Sequence, residues 1–92
     1  MEQRNNYIKG VSKNGFRFSI KREILESYDF FELLGESEDN PLVMPKILKM
    51  LLGNEQKKKF IAFLSKKNEN VSVAKVTEEL ESIFKSIDKI KN

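Results

Sequence analysis

The sequence predicts a mainly α domain with a small N-terminal β-hairpin, an α+β arrangement in which about four helices follow two strands in one compact unit over residues 1–92. Three observations lead there. Residues 16–21, FRFSIK, alternate strictly between apolar and polar side chains, the period of a half-buried strand. Downstream the period changes, and apolar residues recur at i, i+1, i+3 and i+4, the spacing of one helix face. No low-complexity tract or long linker divides the two regions, so a single core is expected.

Residues 7–21 form the hairpin. Phe16, Phe18 and Ile20 share one face of the second strand, Tyr7–Val11 is β-compatible, and Asn14-Gly15 readily takes the positive φ of a tight turn. Two registers are open: a two-residue turn at Asn14-Gly15 sets Lys13 opposite Phe16, whereas a bulge at Gly15 sets Ile8 opposite Ile20. An isolated hairpin is barely stable in water, so its apolar face must rest on the helical part, residues 27–91. Residues 22–26 read as a preceding turn. From Ser27 the first helix has Asp29 and Glu32 near its positive dipole end and Phe30, Phe31, Leu33 and Leu34 on one face. Asn40 caps the next and Pro41 opens it, while Pro45 moves the effective start toward Val43 or Met44; Gly53 ends it. Asn54 caps a third helix to about Lys66, with Phe60, Ile61, Phe63 and Leu64 inward. The fourth starts at Ser72, with Val71 and Val76 as a hydrophobic staple and a stripe of Val73, Val76, Leu80, Ile83, Phe84, Ile87 and Ile90.

Composition narrows the chemistry. The chain has no cysteine and no histidine, which removes disulfides, thiolate or imidazole metal ligation, and Cys- or His-based nucleophilic catalysis. No Asp-x-Asp-x-Asp-Gly loop or phosphate-cradling Gly-rich loop occurs, so no metal, no cofactor and no enzymatic activity are expected. The start MEQRNNYIKG lacks a signal-peptide core, and no stretch reaches the roughly 20 apolar residues of a membrane span, so a soluble cytoplasmic protein is expected. Small domains keep much of their surface wet, which makes self-association or a partner a natural expectation.

Charge is segregated. Residues 1–22 carry +5, 23–40 carry −7, 41–67 carry +6 and 68–92 carry −1, for a net +3. Adjacent blocks either neutralise one another across wet faces of one chain, or the acidic face of one copy meets the basic face of the next.

Residues 40–56, NPLVMPKILKMLLGNEQ, are unusually apolar. On a helical wheel Met50, Val43, Ile47, Leu51, Met44, Leu48 and Leu52 fill an arc of roughly 200°, with Lys46 and Lys49 on a narrow polar edge near Leu42. One core-facing stripe needs about half of that. Either the helix is packed on two sides, or one flank is covered by a partner; the second reading nominates Leu42, Met44, Ile47, Leu48, Met50 and Leu51 as a partner-binding surface.

A small helix-turn-helix-like DNA-binding regulator is the alternative reading, from KILKMLLGNEQKKKFIAFLSKK. Its consecutive Lys57, Lys58 and Lys59 splay around the helix, however, and no arginine follows Arg22 to read guanine. The neighbouring acidic block also repels phosphate.

The succession FRFSIK, then YDFFELLGESEDNPLVMPKILKMLLGNEQKKKFIAFL, then VSVAKVTEELESIFKSI resembles the tail assembly chaperones of long-tailed phages and prophages of Gram-positive bacteria. The shared text is an F-x-E-L-L segment, an NP-x-x-x-P-x-[IL]-[LF]-x-x-[LM]-LG-x-EQ segment and a final VS…E-x-[IL] helix, and it spans Phe16 to Ile87. The middle segment is the most specific, with Asn40, Pro41, Pro45, Leu52, Gly53, Glu55 and Gln56 at matching spacing. The chain departs from the family in its lysine-rich SKKNENVSV loop and in the lysine triplet after Gln56. The resemblance implies a non-catalytic chaperone of the host cytoplasm, absent from the mature virion. It would bind and solubilise the tape measure protein and help recruit tail tube protein, in part through a longer frameshifted form. A homo-oligomer is the expectation that the small size and the charge blocks add, and neither nucleic acid nor a membrane is expected as a partner.

Overall fold

Strands β1 (Tyr7–Val11) and β2 (Arg17–Lys21) pair antiparallel in the computed structural model, which describes residues 6–65 and 70–91. Ile8 stands opposite Ile20 and Gly10 opposite Phe18, so the bulged register is the one adopted. Ser12 N donates to Phe16 O at 2.8 Å, Gly15 N donates to Ser12 O at 3.0 Å, and Gly15 takes φ 103°. Glycine at the last loop position supplies the positive φ that a three-residue hairpin loop needs. This register sends Ile8, Phe16, Phe18 and Ile20 into the core.

Helix α1 (Arg22–Leu25) is a single turn, and α2 (Tyr28–Ser37) follows, with Ser27 Oγ accepting from Phe30 N at 3.3 Å. Phe30 is buried and Leu33 and Leu34 are half-buried, but Phe31 does not join them. It is 69% exposed and its ring lies 6.3 Å from that of Tyr28. The correction has a geometric cause: roughly 100° of rotation carries Phe31 off the side of α2 that meets the core.

Asn40 Oδ1 accepts from Leu42 N at 3.2 Å and opens a 3-10 turn, Pro41–Val43. Helix α3 (Met44–Ser65) begins one residue before Pro45, which therefore falls in the first turn, where a missing N–H breaks no helical bond. The helix is broken at Gly53 (φ 80°, ψ 166°), giving two arms, residues 44–52 and 54–65. Asn54 makes no capping bond there; the Leu52 carbonyl freed by the break accepts from Gln56 Nε2 at 3.0 Å.

Helix α4 (Val73–Lys91) is capped by Ser72 Oγ, which accepts from Lys75 N at 3.1 Å. Val76, Leu80, Ile83 and Ile87 are buried, Val71 and Phe84 pack half-buried against them, and Val73 is exposed instead of joining the stripe. Val73 sits at the first helical position, ahead of the first core contact at Val76. The side chain of Ile90, and residues 66–69 of the lysine-rich loop, lie outside the described residues.

The core lies where the hairpin's inner face meets the helices, β1 against α4 and β2 against α3. Phe16 makes an edge-on contact with the fully buried Phe60, centroids 5.0 Å apart, and a tilted one with Phe63 at 5.6 Å. Such pairs add about 0.5–1.5 kcal/mol beyond the area they bury.

Two polar side chains then fix the hairpin on the helices. Gln56 acts as a short piece of strand: its Oε1 accepts from Ser19 N at 2.6 Å and its Nε2 donates to Ser19 O at 2.8 Å, covering the edge of β2 that β1 leaves open. Glu79, 1% exposed, holds the turn. Its Oε2 accepts from Ser12 Oγ at 2.5 Å and Asn14 N at 2.9 Å, and its Oε1 accepts from Asn14 Nδ2 at 2.6 Å. Burial pushes the Glu79 carboxyl up, but these three donors and the Lys13 charge outweigh it and hold the group below its ordinary value.

Candidate functional site

Helices α2 and α3 repeat one order of side chains around their axes. On α2, turning away from buried Phe30, Leu33 comes at roughly 60°, Asp29 and Glu36 near 100–120° and Glu32 near 160°. On α3, turning away from buried Ile47, Met50 comes at roughly 60°, Lys46 near 100° and Lys49 near 160°. Each helix thus presents an apolar shoulder beside the core and then charge, carboxylates on one helix and ammoniums on the other.

The two shoulders meet in an open groove of about 630 Å³. Ile24 of α1, Leu33 and Met50, all half-buried, form its floor. Asp29, Glu32 and Glu36 form one rim and Lys46 and Lys49 the other, all five exposed. No ion pair bridges the rims among the described residues, where Lys13 Nζ meets Glu78 Oε1 at 3.5 Å instead. Part of the acidic block of the sequence and part of the basic block that follows therefore face each other within one chain.

Of the six residues nominated from sequence, the structure places three in the chain's own core: Ile47, Leu48 and Leu51 are 1%, 3% and 2% exposed. They are packed by the hairpin and the other helices, which corrects the expectation that they present a binding surface. Leu42 is 83% exposed, but it lies in the 3-10 turn ahead of α3 and shares no wheel with the helix. Met44 is half-buried against the core, and Met50 alone of the six lines the groove. Sequence reasoning missed Ile24, Leu33 and both charged rims. Two wheels laid side by side would have shown matching shoulders; that α2 and α3 are neighbours came only from the fold.

The groove offers apolar contact flanked by charge. Among the described residues no set of three or more acidic side chains converges to hold a metal ion, and no helix is long and apolar enough to cross a membrane. Lys58 and Lys59 are exposed and Lys57 is half-buried, so the lysine triplet forms no single face. No protein-family model matches the chain, and no curated protein or solved structure matches it significantly.

Proposed function

We propose that this chain is a tail assembly chaperone of a phage or prophage, a non-catalytic protein that binds helical segments of the tape measure protein and keeps them soluble in the host cytoplasm while tail tube protein is recruited. The observation that carries the reading is the groove between α2 and α3. A client that is a long amphipathic helix needs a reversible apolar surface with charged margins, and Ile24, Leu33 and Met50 between two rims of opposite sign supply that. Met50 suits an imperfectly matched guest, since an unbranched thioether side chain adapts its shape at little cost. The sequence resemblance supports the same reading independently of the groove.

The test is co-expression with the tape measure protein of the same tail gene cluster, followed by affinity purification and light-scattering mass. A soluble complex is expected, and it should be lost in a Met50→Asp variant whose circular dichroism is unchanged. A client that stays insoluble, or a co-expressed chain that purifies as a monomer free of the client, would overturn the proposal.

A further inference from the structure

The rims of the groove carry opposite charge, and that asymmetry gives the groove a direction. A helix laid on the floor has two flanks, and turning it end for end exchanges them. We infer that the groove between α2 and α3 receives an amphipathic helix in one direction only, its cationic flank along Asp29, Glu32 and Glu36 and its anionic flank along Lys46 and Lys49; this rests on the helix-binding reading above. Both long walls are helices whose backbone groups are engaged internally, so an extended segment crossing the floor would find no main-chain partner, whereas a helix brings its own. Asp29, Glu32 and Glu36 span about 10 Å along α2, two helical turns, so successive basic residues on one guest flank each meet a carboxylate. The rims are not paired with each other, and the guest breaks no ion pair between them on entering. Reversed, the guest sets carboxylate against carboxylate and ammonium against ammonium, a repulsion that selects direction more than it adds affinity. On a long guest with a repeated flank pattern, every bound copy of the chain then faces the same way.

The chain contains no cysteine, so the exposed Glu26 and Glu38, just before and just after α2, can each be replaced singly (Glu26→Cys, Glu38→Cys) and spin-labelled. The probes are two short stapled amphipathic helices with the same leucine stripe and an N-terminal spin label, one with lysine on the left flank and glutamate on the right, the other with these exchanged. The expected result is that the short and long label distances from positions 26 and 38 exchange between the two probes. They should exchange again when the rims are swapped by Asp29→Lys, Glu32→Lys, Glu36→Lys, Lys46→Glu and Lys49→Glu. If both probes bind the unaltered chain with the same distances, or each as an even mixture, the groove binds helices but has no direction and the inference is overturned alone. If neither probe binds, the groove reading fails and takes the direction with it.

Discussion

Replacing Glu79 by glutamine should destabilise the fold by about 1–3 kcal/mol at neutral pH, the range for hydrogen bonds to a charged group whose donors are left poorly matched. One carboxylate serves three donors from the turn, at 2.5, 2.9 and 2.6 Å, in a site that is 1% exposed. Glutamine keeps one acceptor oxygen and turns an N–H₂ group toward the remaining donors, which must rotate or go unpaired. For a domain of this size the loss corresponds to about 4–8 °C in Tm for each kcal/mol. The pH dependence gives the sharper signature. The folded carboxyl lies below its ordinary value of 4.5, so the unfolded chain takes up the proton first as pH falls. The Glu79 contribution is therefore complete above the unfolded value and is lost as pH drops through the folded one. Urea titrations of the wild type and Glu79→Gln at pH 7 and at successive steps below 4.5 should show the difference shrinking with acid. Comparing the two proteins at each pH removes the other carboxylates from the result. A difference that stays constant down to the acid limit, or one below about 0.5 kcal/mol at pH 7, the usual scale of a surface change, would refute the role of Glu79 in holding the turn.

Gly53→Ala should cost about 1–3 kcal/mol, because the conformation at φ 80° and ψ 166° strains any L-residue, although an added Cβ would meet no atom within 4 Å. Thermal unfolding measures it, and D-alanine at that position in a synthetic chain should restore stability; an L-alanine variant as stable as wild type would mean that the break is not as described. Gln56→Ala removes both bonds to the Ser19 backbone and should cost roughly 1–3 kcal/mol while raising hydrogen exchange at the Ser19 amide. Gln56→Glu keeps the acceptor for Ser19 N but faces the carbonyls of Ser19 and Leu52 without a donor, so it should be destabilised at neutral pH and recover toward acid. Unchanged Ser19 protection in Gln56→Ala would remove the edge-covering role.

The elements were legible because each carries a local signal: alternation in FRFSIK, Ser72 ahead of the last apolar stripe, prolines at a helix start, glycine at a break. What the local signals could not give was which shoulder faces which. Phe31 sits on an apolar-looking face yet is exposed, since a wheel reports periodicity and not which flank a neighbour covers. The apolar arc from Val43 to Leu52 exceeds one stripe and leaves two-sided packing and a partner surface both open; Ile47, Leu48 and Leu51 take the first, buried between the neighbouring elements. Glu79 was invisible for a different reason: in VTEELES it is one acid among three, and only the hairpin turn, more than sixty residues earlier, distinguishes it. The groove belongs to the same class of missed feature, built from shoulders on helices whose adjacency is a tertiary fact.

The residues that carry the chaperone resemblance are mostly engaged in the fold itself. Asn40 caps the turn, Pro41 and Pro45 set the helix start, Gly53 breaks α3, and Gln56 seals β2, each by a backbone or hydrogen-bond requirement that no partner enters. The α3 side of the groove, by contrast, falls on Lys46, Lys49 and Met50, all at positions that the segment NP-x-x-x-P-x-[IL]-[LF]-x-x-[LM]-LG-x-EQ leaves open. Frame and contact surface are therefore separable in this stretch, and the separation can be measured. Exchanging Lys46, Lys49 and Met50 together for Glu, Glu and Gln should leave stability within about 1 kcal/mol, as for exposed and half-exposed sites, and should change which helical guest is held. Changes at Asn40, Gly53 or Gln56 should lower the melting temperature while leaving guest choice alone in the fraction that stays folded. A Gln56 variant that melts normally yet no longer holds a guest would reverse the assignment, moving the motif from the frame onto the binding surface.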